Sequence, residues 1–411
     1  MKFLKPSNQV IVGLLFLSSS LYSAVQIIQP SENAYEEIQE AFILAEPGDV
    51  IRLTSGTYNL QDSLSLDVEG VQVEGEGMGQ TVLNFSNQQS GAQGLSVTSD
   101  NVTLQDFSVQ NAKGDAIKVK GVTNIKFLRV KTEWTNGPSP ENGAYGLYPV
   151  ESTNVLIDGC VAIGASDAGI YVGQSKNIIV RNSRAEFNVA GIEIENSYYA
   201  DVFNNIATNN TGGILVFDLP GLPQQGGHHV RVFNNWSVGN NTDNFAPEGN
   251  IVGEVPRGTG IIIQANSDVE IFDNEIGDND TVNIAVVTYG NETDDEAYYP
   301  HPKSIQIHGN KFGPTGYNPD TSKGELAKIL FELSKGNMPD IFWDGLIPIS
   351  QIIFGQPEDE KMIISNNGDA TLLAIKPIGF MMPFLEPATL DINEFDGEIS
   401  PLAKVEFDEN F

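Results

Sequence analysis

One cysteine, Cys160, stands among 411 residues, so no disulfide can form within the chain and its stability has to come from packing. Basic residues are scarce too: 22 Lys and Arg oppose 54 Asp and Glu, for a net charge of −32. Phosphate binding needs clustered Lys and Arg, so a surface of this sign repels nucleic acid and anionic membranes. Long apolar stretches are missing. The run from Val10 to Leu17 is too short to span a bilayer. Charged residues amount to only 18 %, while hydrophobic residues reach 40 %, enough for a large core and too many for wholesale disorder. What is abundant is glycine, 41 residues, which points to a chain that turns often.

The first residues have the layout of a secretory signal peptide: Lys2 and Lys5, the short apolar run, then small residues through Ser23 and Ala24. Residues 1–24 are therefore expected to be a signal peptide, and the protein secreted or periplasmic. No cysteine lies near the cleavage point to carry a lipid anchor. The sequence leaves the oligomeric state open.

Repeats set the architecture. Gly169-Ile-Tyr-Val, Gly191-Ile-Glu-Ile and Gly213-Ile-Leu-Val recur 22 residues apart. Between them run Asn154-Val-Leu-Ile-Asp-Gly, Asn177-Ile-Ile-Val-Arg-Asn, Val230-Arg-Val-Phe-Asn-Asn and Val269-Glu-Ile-Phe-Asp-Asn. Short alternating strands separated by Gly, Asn or Asp leave no room for a helix within a repeat. One coil cannot bury its inner face alone, but stacked coils can. The expected fold is all-β: a single-stranded right-handed parallel β-helix over residues 25–317, with an N-terminal helical cap near Ala34–Ala45. Residues 318–411 are expected to be an irregular capping or accessory segment, with a helix near Lys323–Gly336 that puts Leu326, Ile329, Leu330 and Leu333 on one face.

Stacked asparagines are expected to line one corner of the tube: Asn182, Asn205, Asn235, Asn274 and Asn310, with Gly159 one coil earlier. Amides in register can satisfy each other and the turn backbone. Cys160 is expected to point inward as a small buried residue.

Excess residues interrupt the coils at 135–144, 219–227, 242–257 and 290–302. Two precede a strand of the Gly-Ile type and two follow one, so they are expected to wall a groove across one face. If Ile170, Ile192 and Ile194 point in, alternation puts Tyr171, Glu193 and Glu195 outside. The same count places Lys118, Lys120, Tyr148, Phe217 and Gln264 on the groove floor, with Tyr145 and Asp218 beside it. Aromatic faces among carboxylates and ammonium groups suit a sugar polymer, whose rings stack and whose hydroxyls need donors and acceptors. Glu193 and Glu195 would have Cα atoms about 6.6 Å apart on one face. Such a pair either shares a cation, for which Ca²⁺ is the oxygen-seeking choice, or splits into an acid and a base. The negative charge favours neutral glycans unless Ca²⁺ intervenes. His228-His229 and the acidic loop Asn291–Glu296 are weaker metal candidates.

The order of a short helix, Pro47-Gly-Asp, a strand and Gly56-Thr-Tyr resembles the opening of secreted pectate-lyase-like β-helix proteins, and the likeness runs from Ala34 to Phe312. The chain looks most similar to a secreted family of parallel β-helix repeat proteins, a likeness that extends into Ser365–Ala370. Tyr145-Gly-Leu-Tyr-Pro149 is similar to the Tyr-Gly-Phe-Asp-Pro-His motif of mannuronan C5-epimerases: Tyr145, Gly146 and Pro149 match, while Tyr148 replaces the acid and Val150 the histidine. Glu193-Ile-Glu195 is similar to calcium ligands of β-helix lyases, although Asn196-Ser-Tyr-Tyr follows where their lysine base is expected. The resemblance implies a polysaccharide partner and lyase or epimerase chemistry, with Tyr148 or Tyr171 in proton transfer and Glu193 and Glu195 catalytic or metal-holding. A non-catalytic glycan-binding or surface protein, or a β-helix glycoside hydrolase, is the alternative.

Overall fold

The computed structural model describes residues 23–322, 324–376 and 388–409; the side chains of 324–326 and 329 also fall outside it. The expected signal peptide therefore lies almost wholly outside the described residues, as do the side chains of Leu326 and Ile329. No helix among the described residues is long and apolar enough to cross a membrane.

Among the described residues, the regular coils contribute one strand to each of three sheets, of 12, 12 and 10 strands, and nearly every pairing is parallel. In one coil, Ala190–Glu195 belongs to what we term the third sheet, Tyr198–Phe203 to the first and Ile206–Thr208 to the second. Alternation sends Ile192, Ile194, Ala200, Val202 and Ala207 into the tube, where all are fully buried. The order of strands along the chain is the order of stacking. The helix Ala34–Leu44 closes the first coil, burying Ala34, Ile38, Ala41 and Phe42.

The corner between the first and second sheets carries two columns. Gly159, Asn182, Asn204, Asn234, Asp273 and Gly309 take positive φ between 53° and 67°, where Gly, Asn and Asp are least strained. One residue later, Asn205, Asn235, Asn274, Asn310 and Asn367 form the buried ladder. Asn235 Nδ2, for example, donates to Asn274 Oδ1 at 3.0 Å and to the Val202 carbonyl at 2.8 Å. Asn182 is thus a turn residue and not a rung. Register pairs Arg181 with Phe203, so Ser183 stands opposite Asn205, and Cys160 opposite Ser183. Ser183 Oγ accepts from the Cys160 amide at 3.1 Å. Cys160 is buried as expected. A second ladder, Asn188, Asn210, Asn240 and Asn279, lines the corner between the second and third sheets.

Stacking runs on past residue 317. Ile341–Trp343 pairs with the strand at 284–286, Ile363–Ser365 with that at 306–308, and Leu372–Ala374 with 341–343. The helix Gly324–Ser334 is inserted between them, which lengthens the repeat until its period no longer stands out. The last described residues then fold back across the first sheet. Ser400 exchanges bonds with Gln306 at 2.6 and 2.8 Å. Leu402 N donates to Glu270 at 3.0 Å, Val405 N to Asp201 at 3.2 Å, and Arg181 grips Glu409 at 2.7 and 3.0 Å. This strap crosses five adjacent strands against the direction of stacking.

Candidate active site

The outer face of the third sheet presents two rows. One runs Ser96, Lys118, Tyr148, Tyr171, Glu193, Leu215, Ile262, Ala285, Phe342; the other runs Lys120, Val150, Gly173, Glu195, Phe217, Gln264, Val287. The expected floor residues do point away from the tube. The expectation of an open groove along the whole floor is corrected. Tyr171, Glu193, Glu195, Phe217 and Asp218 are all buried. Tyr171 and Phe217 belong to a second apolar core that gathers Val252 and Val255 of the inserted segment and Leu330 of the helix 324–334 with Leu215, Ile262 and Phe342. The 242–257 insertion is a cover for half of the face and not only a wall.

At the edge of this cover the side chains converge. The rings of Tyr145, Tyr148 and Tyr171 meet with centroids 4.3, 4.6 and 5.0 Å apart, and the Lys118 ammonium sits 4.6 Å from the Tyr148 ring centre. Lys118 also faces Asp115 at 3.6 Å. The Tyr171 hydroxyl donates to Glu195 Oε1 at 2.6 Å. Gly173 makes that contact possible: a Cβ there would stand 2.1 Å from the Tyr171 hydroxyl, so the tyrosine lies over the bare backbone. Asp167 accepts from Tyr145 and from Asn250 Nδ2 at 3.1 Å, which ties the cover to the site.

Burial dominates the electrostatics. It pushes Asp167 up to about 7, helped by the Glu195 charge and opposed by the Tyr145 hydrogen bond. Glu195 is likewise pushed up to about 7 by burial, against the pull of Tyr171. Glu193 rises well above the usual carboxylate range through burial and the charges of Asp167 and Glu195. Its Oε2 is buried with no hydrogen-bond partner. An orphaned carboxyl oxygen costs on the order of 1–3 kcal/mol. Tyr148 is pushed up to about 12, and Tyr145 and Tyr171 also rise, all mainly by burial. At neutral pH the three tyrosines therefore keep their hydroxyl protons and can donate hydrogen bonds.

The other expected residues are dispersed. Lys120 is exposed and pairs with Glu151 at 3.2 Å. Gln264 lies beneath the cover edge with its Oε1 buried and unpartnered. Asp218 lines a different cavity of about 350 Å³, between the 219–227 and 290–302 loops, with Ser267, Tyr298, Tyr299 and Lys303. Its carboxylate accepts from Gly227 N at 2.7 Å. His228 stacks on Tyr198 at 4.4 Å, and Asp295 of the acidic loop accepts from Gln225. Asp115, Asp167, Asn250 and Gly173 were not singled out from the sequence. The two aspartates lie at corners just before strands, where Asp is common for turn geometry, so nothing distinguishes them.

Glu193 and Glu195, the expected Ca²⁺ ligands, lie on one strand of the third sheet. Ca²⁺ takes six to eight oxygens; Glu195 already accepts from the Tyr171 hydroxyl at 2.6 Å, and burial raises the Glu193 carboxyl well above the usual carboxylate range. Among the described residues, no group of three or more His, Cys, Asp or Glu is arranged to hold a metal ion.

Comparison with known proteins agrees with this architecture. Residues 69–221 match a family model described as a right handed beta helix region. The fold is shared with the A-module of a mannuronan C-5 epimerase from Azotobacter vinelandii, at 16 % identity and a TM-score of 0.55 over 82 % of this chain and 91 % of that one. It is shared with a tailspike protein of an E. coli bacteriophage in complex with a pentasaccharide, at 11 % identity and a TM-score of 0.53 over 85 % and 62 %. A polygalacturonase from Erwinia carotovora matches at 10 % identity and a TM-score of 0.50, over 85 % and 96 %. No curated protein matches the chain. The molecule is a right-handed parallel β-helix, the fold it shares with this epimerase module, this tailspike protein and this polygalacturonase.

Proposed function

We propose that the protein acts on a polysaccharide at the Tyr145–Tyr148–Tyr171 cluster, by removing the C5 proton of a uronate residue. The observation that carries this is the Tyr171–Glu195 hydrogen bond at 2.6 Å beside the unpartnered Glu193. A carboxylate poised near 7 is a base at neutral pH, and a tyrosine or protonated carboxyl next to it is an acid. Glu195 takes the C5 proton. In a lyase, the C4–O4 bond then breaks, a C4–C5 double bond forms, and a neighbouring hydroxyl gives O4 its proton. In an epimerase, a proton returns to C5 from the opposite face. Lys118 and Lys120, paired with Asp115 and Glu151, would exchange those partners for the sugar carboxylate. The epimerase and polygalacturonase likenesses support a uronan substrate, and the leader-like N-terminus supports a secreted or periplasmic place of action.

The test is incubation with alginate and polygalacturonate in deuterated water. An ultraviolet-absorbing unsaturated uronate identifies a lyase, and deuterium at C5 of inverted residues identifies an epimerase. Glu195→Gln and Tyr171→Phe abolish either signal. Glycan binding with neither signal points to the non-catalytic alternative, and new reducing ends without unsaturation to a hydrolase.

A further inference from the structure

We infer that the floor is a blind trough that receives the end of a polysaccharide chain and not its middle, an inference that rests on the function proposed above. The open part of the floor is short. Ser65 is exposed, Ser96, Lys118 and Tyr148 are half-buried, and Lys120 is exposed. From Ser65 to Tyr148 there are three inter-strand steps, about 14 Å at ~4.8 Å each. Past Tyr148 the same row disappears: Tyr171 and Glu193 are 3 % and 1 % exposed, and Leu215, Ile262, Ala285 and Phe342 follow in the second core.

The obstruction is built into the fold. Asn244 Nδ2 donates to the carbonyls of Val252 and Val255 at 2.8 and 2.9 Å, which fixes the inserted segment in a compact turn. Arg257 clamps its base through Asp243 at 2.7 Å and Asp280 at 3.4 Å. Val252 and Val255 are buried against the sheet. A chain running through would have to expose these apolar groups, at about 25 cal/mol for each Å² uncovered. A chain end needs only to lie over Lys118 and Tyr148 and bring its last ring to the mouth beside Tyr145 and Glu195.

The test uses the polymers already named, polygalacturonate and alginate, with the full chain. For a lyase, the expected result is a single small unsaturated product from the earliest times while solution viscosity stays near its starting value. For an epimerase, inverted residues appear at chain ends in the NMR spectrum. An early collapse of viscosity with a ladder of oligosaccharides, or inverted residues scattered through chain interiors, overturns the blind trough and leaves the proposed function standing. No product from any polymer, with no exchange at C5, overturns the proposed function, and the blind trough falls with it.

Discussion

Replacing Glu195 by Gln should make the protein more stable at alkaline pH, and the size of the gain follows from the site. Burial takes the Glu195 carboxyl from its ordinary 4.5 to about 7. At 1.36 kcal/mol per pKa unit, that displacement is worth about 3 kcal/mol. The folded protein favours the protonated acid, so this contribution is fully present below about pH 4.5 and is lost as pH rises through about 7. The substituted amide keeps an oxygen for the Tyr171 hydroxyl and nothing that ionises. With an unfolding entropy of roughly 2.1 cal/mol/K per residue, 3 kcal/mol corresponds to about 3–4 °C in melting midpoint for a chain of this length. Melting curves of wild type and E195Q should therefore converge near about pH 4.5 and separate by that amount near about pH 8. Burial lowers the pKa values of His228 and His301, so these residues add stability as pH rises, but equally in both proteins; Asp167 and Glu193, which the Glu195 charge also pushes up, widen the separation in the same direction. Parallel curves across that range would refute the buried, displaced carboxyl.

Three further outcomes test the frame and the site. Gly173→Ala should displace the Tyr171 hydroxyl, abolish activity on a uronan and leave the melting midpoint within a few degrees; full activity would remove Gly173 as a positioning residue. Ile192→Asp buries an unpaired carboxyl in the tube, where Ile192 is 0 % exposed, and should cost about 3–5 kcal/mol in a denaturant titration. An unchanged denaturation midpoint would mean that the facing of that strand is inverted. Asn235→Ala removes the side-chain bonds to Asn205, Asn274 and Val202 and should cost about 2–4 kcal/mol; a cost near zero would show that the ladder is ornamental to stability.

The tube was legible because period-2 alternation and a 22-residue repeat are written directly in residues such as Ile170, Ile192 and Ile214. The ladder was displaced by one position at Asn182 because asparagine serves both the left-handed turn and the rung, and only the pairing register separates the two uses. Outward orientation of Tyr171, Glu193 and Glu195 followed from alternation, whereas their burial did not. It depends on where Val252, Val255 and Leu330 land, and a loop's destination leaves no periodic trace. Asp167 was missed for a related reason: its neighbours Tyr145 and Asn250 come from one coil earlier and from an insertion 83 residues later.

The strap over the first sheet gives the molecule an order of assembly. Each coil can settle on the one before it as the chain emerges from synthesis, but Ser400–Glu409 is made last. Until it docks, Asp201 and Glu270, at 4 % and 2 % exposed in the finished protein, stand open beside Arg231 along the outside of the tube. The strands that carry Arg181, Asp201, Glu270 and Gln306 are then fastened together in one late event, so a chain stopped short of residue 400 would fold its coils and lack the latch. Pulled at Glu409, the strap would release its bonds one at a time back toward Ser400, as a zip opens.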